Sequence, residues 1–113
     1  MNRYNIEFTT KAKNDIRRIV SYISHDLQEP EIAEKYKDLF LNSVESLCEF
    51  PNRGIPAKGK VPKGTERRKL LVKSYIAFYL VNDTKRMVSV ERVLYGASDW
   101  IKKYWLWEKT KKM

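Results

Sequence analysis

Tyr4, Ile6 and Phe8 alternate with Asn5, Glu7 and Thr9, the two-residue period of a half-buried strand. Thr9 or Thr10 then offers a hydroxyl that can cap a helix, and the period changes. Ala12, Ile16, Ile19, Val20, Ile23 and Leu27 are spaced chiefly by three and four. This predicts a helix from Lys11 to about Leu27 with one buried face, and with Lys11, Lys13, Arg17 and Arg18 on much of the other. A polar connection from Ser24 to Glu29 comes next, and Pro30 stands where a first helical turn tolerates it. The stripe Ile32, Tyr36, Leu39, Phe40, Val44, Leu47 and Cys48 predicts a second helix from about Glu31 to Glu49. Two amphipathic helices with a short connection make an antiparallel hairpin. Phe50-Pro51-Asn52-Arg53-Gly54 stops it.

From Ile55 to Glu66 no hydrophobic period survives among Pro56, Gly59, Pro62, Gly64 and the lysines, which predicts a hydrated loop. Three runs rich in Val, Ile, Tyr and Phe come next: Arg68–Lys73, Tyr75–Val81 and Met87–Tyr95. Their connections are short enough for an antiparallel meander. Gly96 ends the last run, and Ala97-Ser98-Asp99 reads as the cap and first turn of a short helix. Trp100, Tyr104 and Trp107 fall on one helical stripe, suited either to clamping the protein's own core or to a partner groove. The predicted fold is therefore α+β: an N-terminal strand, a helical hairpin, a three-strand meander and a C-terminal helix. The first strand joins the meander in one four-stranded sheet, with the hairpin across one face.

In the middle strand, Tyr75, Ala77, Tyr79 and Val81 share one face, and Ile76, Phe78 and Leu80 share the other. Both sets are largely apolar, yet the hairpin covers only one. Ile76, Phe78 and Leu80 therefore need a second cover, from the tail around Trp105 or from a partner's amphipathic segment.

A chain of 113 residues has room for a single domain, 1–113. No apolar run approaches the roughly 20 residues of a membrane span, so no membrane partner is expected. The N-terminus MNRYNIEFTT lacks the apolar core of a signal peptide. One cysteine, Cys48, excludes an internal disulfide and suits the cytoplasm. The net charge of +9 is the compositional outlier and points to a polyanionic partner. Lys58, Lys60, Lys63, Arg67, Arg68, Lys69 and Lys73 crowd the loop and the first strand of the meander, with Glu66 as the one nearby acid. Lys58, Lys60, Lys63, Arg67, Lys69 and Lys73 are thus candidate contacts to a target or an acidic partner.

The chemistry available is narrow. A lone histidine, His25, in a polar turn argues against a metal site or a Ser–His dyad, and no cofactor is implied. The glycines match no phosphate-cradling motif. The acids scatter along helix faces, where i,i+4 pairing accounts for them. One catalytic route stays open: RNA can be cut by its own 2′-hydroxyl if cations steady the phosphorane.

Arg68, Leu70, Val72, Tyr75, Tyr79 and Val81, followed by Val88, Val90, Arg92-Val93-Leu94-Tyr95-Gly96 and Asp99, resemble the RelE/ParE superfamily of type II toxins. The resemblance covers nearly the whole chain, and its ending is closer to the ParE branch. It implies a toxin neutralised by a cognate antitoxin, acting on DNA gyrase if ParE-like or on ribosome-bound mRNA if RelE-like. A basic nucleic-acid-binding module is the remaining alternative. In the RelE-type pattern an arginine follows the tyrosine that opens the middle strand, where this chain has Ile76. That pattern also carries basic residues after the glycine ending the last strand, where Ala97 and Ser98 stand here. Gyrase is accordingly the favoured target and enzymatic activity is not expected. Were the chain a nuclease, Lys69 and Arg68 would be the residues to carry it. Arg92 is either an orienting ion pair within the fold or a target contact, with the ion pair favoured. Tyr75 and Tyr79 read as core residues with satisfied hydroxyls.

Overall fold

Thr9 ends one element and begins the next. In this computed structural model, which describes residues 3–96, strand β1 (Asn5–Phe8) stops just before it. The Thr9 hydroxyl accepts the Ala12 amide at 3.0 Å, capping helix α1 (Thr10–Ser21). It also donates to the Glu91 carbonyl at 2.9 Å, tying the start of the helix to the last strand.

Helix α1 runs into a π-helical turn, Tyr22–Asp26, where the Leu27 amide reaches back to the Tyr22 carbonyl. The periodicity placed Leu27 on the buried stripe. The wider turn swings it outward instead, and it is 51% exposed. Gln28 takes a φ of 55°, and helix α2 (Pro30–Glu45) then opens with its proline in the first turn. A short 3₁₀ turn, Ser46–Cys48, completes it. The buried stripe of α2 is Ala33, Phe40, Val44 and Leu47, with Tyr36 and Leu39 partly buried, so Ile32 falls outside it at 41% exposure.

The remaining strands are β2 (Ile55–Pro56), β3 (Glu66–Val72), β4 (Tyr75–Asn82) and β5 (Met87–Tyr95). With β1 they form one sheet in the order β1-β5-β4-β3-β2. β1 lies parallel to β5 and all other neighbours are antiparallel. The meander and its join to β1 are as expected from the sequence. The fifth strand, β2, is an addition: Ile55 and Pro56 pair with Lys69 and Arg68 at the start of what reads as loop. Two residues are too few to show a period. Lys73 and Ser74 make the turn from β3 to β4, with Lys73 at a φ of 56°.

Helix α1 packs on β5, and α2 leans toward β3. Ala12, Phe40, Val44 and Leu47 meet Leu70, Val72, Ala77, Tyr79, Val81, Val88, Val90 and Val93 in one core. Each large side chain buried there supplies about 1.5–3 kcal/mol, well above what helix propensity contributes. Tyr4, Ile6, Phe8, Ile16, Ile19 and Tyr75 pack around it. The C-terminal helix expected from Ala97-Ser98-Asp99 onward, including the Trp100, Tyr104, Trp105 and Trp107 stripe, lies outside the described residues.

Candidate functional site

β3 and β4 decide what the open face of the sheet carries. Leu70, Val72, Ala77, Tyr79 and Val81 belong to the core under the helices, so alternation turns Arg67, Lys69 and Leu71 to the other side with Ile76, Phe78 and Leu80. Register makes these cross-strand partners: Arg67 faces Leu80, Lys69 faces Phe78 and Leu71 faces Ile76. Two groups that the sequence nominated separately, cations and apolar residues, thus share one surface. Phe78 is buried at 6% exposure and Leu94, opposite Ile76, at 7%, while Ile76 and Leu80 are half-buried. Leu71 and Ile55, at the β3–β2 edge, remain exposed at 61% and 55%. Trp105, nominated with this face, lies outside the described residues.

The basic residues divide into those that the fold uses and those that it presents. Arg67 is 6% exposed and bonds Glu91 through Nε at 2.8 Å and through its Nη2 at 3.3 Å. Its Nη1 donates to the Lys60 carbonyl, fixing the loop before β3. This position is a structural ion pair, which the sequence had grouped with the partner contacts. Arg68, on the helix side, pairs with Glu66 at 3.0 Å and donates to the Gly54 and Asn52 carbonyls. Lys58, Lys60, Lys63 and Lys73 are exposed, and Lys69 is half-buried beside Phe78.

Tyr79 anchors the segment that brings Arg68 its carbonyl partners. Its hydroxyl donates to the Pro51 carbonyl and accepts the Gly54 amide, both at 2.8 Å, with the ring fully buried. Gly54 is required by close approach: a Cβ there would stand 2.6 Å from the Tyr79 oxygen and 2.7 Å from the Lys69 carbonyl. Burial pushes the Tyr79 hydroxyl pKa up, opposed by the Gly54 amide and by Arg68.

β5 bulges where Phe78 faces Arg92 and Tyr79 faces Val90, leaving Glu91 extra. The bulge sends Glu91 to Arg67 on the open face and Arg92 to Asp15 under α1. Arg92 is therefore the orienting ion pair expected from its position. Asp15 was not singled out, and i,i+4 pairing does not explain it: it is 3% exposed and bonded across the fold. The signal was present, since Asp15 lies between Ala12 and Ile19 on the apolar stripe.

At the far end of β4 and β5 a cleft of about 570 Å³ opens, lined by Arg18, Ile19, Tyr22, Leu27, Tyr75 and Tyr95. Tyr75 stacks edge-on to Tyr36 and Phe40 and lies 5.5 Å from Tyr95, centroid to centroid. Burial first, then the Tyr36, Tyr95 and Tyr22 hydroxyls, raises its pKa, so the phenol stays protonated at neutral pH. Tyr22 and Leu27 reach this cleft through the π turn, which helical periodicity does not reveal. His25 is exposed beside Ser21. Among the described residues no three His, Cys, Asp or Glu side chains converge to hold a metal ion, and no helix is long and apolar enough to cross a membrane.

A mixed sheet with one parallel edge strand and a helical hairpin on one face is the fold of the RelE/ParE type. The chain belongs to the ParE toxin family of type II toxin–antitoxin systems, parDE, whose family model matches residues 6–100. Solved structures share the fold. The chromosomal ParDE system from P. aeruginosa is similar at 23% identity and a TM-score of 0.65, over 84% of this chain and 98% of that one. The archaeal RelE–RelB complex from Pyrococcus horikoshii OT3 is similar at 12% identity and TM-score 0.63, covering 86% and 98%. The RelBE2 toxin–antitoxin complex from Mycobacterium tuberculosis gives 22%, 0.55, and coverage of 82% and 98%. No curated protein matches the chain.

Proposed function

We propose that this type II toxin poisons DNA gyrase in the cytoplasm and is held inactive by a cognate antitoxin. The observation carrying the choice of target is the setting of Ile76. A RelE-like nuclease has an arginine after the tyrosine that opens the middle strand. Here that position is a half-buried isoleucine between Leu71 and Leu94, an apolar neighbourhood with no charge to offer a phosphorane. Arg68, one of the two residues a nuclease would draw on, already spends its guanidinium on Glu66 and two carbonyls. ParE-type toxins act on gyrase and need no such constellation.

An antitoxin partner is supported by the similar structures that were solved as toxin–antitoxin complexes. Its contact is assigned to the open face, where exposed Leu71 and Ile55 adjoin Ile76, Leu80 and Lys69, with Lys58, Lys63 and Lys73 around it. An acidic amphipathic segment satisfies both the apolar row and the cations.

The test is direct. Purified protein, gyrase, ATP and supercoiled plasmid should accumulate gyrase-dependent double-strand breaks, and expression in cells should induce the SOS response before translation stops. Codon-dependent mRNA cuts in a translation extract, without gyrase-dependent breaks, would overturn the assignment.

A further inference from the structure

The solvent side of α1 carries four cations and no exposed acid; Arg18 alone reaches an acid of the helix, the buried Asp15, at 3.8 Å. Lys11, Lys13, Arg17 and Arg18 are all exposed there, interspersed with exposed Thr10, Asn14 and Ser21. The one acid of the helix, Asp15, is buried beneath it and bonded to Arg92, so its charge is neutralised inside the fold. With about 3.6 residues per turn these fall in two rows on the exposed side, Lys11 with Arg18 and Lys13 with Arg17, over roughly 10 Å of helix. The helix that carries them is anchored at its start by the Thr9 cap and near its middle by the Asp15–Arg92 pair.

Two features separate these cations from ordinary solubilising charge. The first turn of α1 has no acid, and Lys11 lies within it. A cation there opposes the helix dipole, a cost of about 0.3–1 kcal/mol that an acid would convert into a gain. Solubility would be served as well by acids at those positions. The exposed positions between Thr10 and Ser21 also carry no apolar or aromatic residue; Val20 beside Lys13 and Arg17 is half-buried, and of the four cations only Arg18 borders the aromatic cleft of Tyr22 and Tyr95. Protein interfaces place aromatic and apolar anchors at their centre and are depleted in lysine. A membrane surface would need an apolar edge to insert. Single-stranded nucleic acid is held by stacking on aromatic rings. Phosphate backbones of a duplex are bound by just this set: Lys, Arg, and the hydroxyl and amide groups of Ser, Thr and Asn.

We propose that the outer face of α1 binds the phosphate backbone of duplex DNA, without sequence preference. Two rows of cations on one rigid helix can grip a rigid duplex backbone from both flanks, and the positive end of the helix dipole adds to the attraction. The surface is separate from the open sheet face assigned to the antitoxin. Naming DNA, as distinct from an RNA duplex, rests on the gyrase reading; the binding surface itself does not.

The experiment uses the full chain and a fluorescent DNA duplex of about 20 base pairs, with Kd measured by anisotropy across a salt series. Replacing Lys11, Lys13, Arg17 and Arg18 together by Gln should weaken binding at least tenfold at low salt. It should also flatten the slope of log K against log salt by about 3.6, since each phosphate contact contributes about 0.9. All four side chains are exposed, so the unfolding midpoint should be retained. If that variant is unfolded, the pairs K11Q/R17Q and K13Q/R18Q should each remove about half of the slope change. A Lys35→Gln, Lys37→Gln variant on α2 removes the same two charges as either pair and should leave the α1 contribution in place. Unchanged affinity and slope in the α1 variants, or failure of the wild type to bind duplex, would overturn the inference. Tighter binding to an RNA duplex of the same length would overturn its assignment to DNA. A wild type that binds duplex through α1 yet causes no gyrase breaks would leave this surface standing and remove the gyrase reading alone.

Discussion

Asp15 holds Arg92 across 77 residues of sequence, accepting its Nε at 2.7 Å and its Nη2 at 3.0 Å. The same carboxylate accepts the Val93 amide at 3.0 Å, so one side chain of α1 fixes both the side chain and the backbone of β5 just past the bulge. Removing one member leaves the other charged and poorly hydrated.

Asp15→Ala should therefore cost about 3–5 kcal/mol in urea unfolding, and Arg92→Met on that background should recover part of the loss. Strictly additive effects of the two substitutions would show that the pair is not coupled.

Tyr79→Phe removes two buried hydrogen bonds at once and leaves the Gly54 amide and Pro51 carbonyl without their partner. The desolvation of those groups sets the expected loss at about 1–3 kcal/mol. A pH dependence accompanies it. Burial raises the pKa values of Tyr75 and Tyr79 above the ordinary value near 10. The folded state thus holds these protons more tightly than the unfolded chain. Their stabilisation is complete below about pH 10 and falls as pH rises through that value toward the higher folded-state pKa. Thermal denaturation between pH 9 and 11 should show a shallower decline in Tyr79→Phe than in the wild type; equal slopes would contradict the assignment.

Phe78→Ala should cost about 3–5 kcal/mol, although Phe78 faces away from the helices, because it is buried. Phe78→Asp should impair folding outright. A soluble, folded Phe78→Asp protein with a wild-type denaturation midpoint would mean that the face tolerates charge and that alternation has been misread.

How much of the fold and the site was legible depended on the range of each interaction. The alternation of β4 can be read from local pattern; Tyr79 is in the core with its hydroxyl bonded, as expected, whereas Tyr75 packs against the core half-buried and lines the cleft. Asp15 and Glu91 escaped notice because their partners, Arg92 and Arg67, lie in other elements, and a helix-local pairing rule cannot see across a sheet. Arg67 joined the partner-contact set on charge, and alternation from Leu70 also puts it on the open face; only the bulge in β5, which aims Glu91 at it, makes it a structural pair. The π turn was hidden for a different reason: its five-residue closure leaves the period of α1 intact and displaces only the side chains at its own two ends, Tyr22 and Leu27.

Reversing Lys69 and Lys73 to Glu should weaken antitoxin binding and reduce its salt dependence, as cations beside an apolar row steer an acidic segment. Surface plasmon resonance at several ionic strengths reads both quantities. Unchanged affinity with an unchanged salt slope would reduce these lysines to solubilising charge.

The pairing of β1 with β5 sets a schedule for the nascent protein. Asn5 faces Met87 and Phe8 faces Val90, so the first strand waits for the last. The helical hairpin can form as it leaves the ribosome, and β3 and β4 can pair under α2, but α1 gains its own strand partner, and Asp15 its guanidinium, only once β5 has emerged. A ribosome that has made three quarters of this polypeptide has not made three quarters of a poison. Among the described strands β5 is the one that closes the sheet, and a chain stopped before Met87 has neither the partner of β1 nor the guanidinium that Asp15 holds.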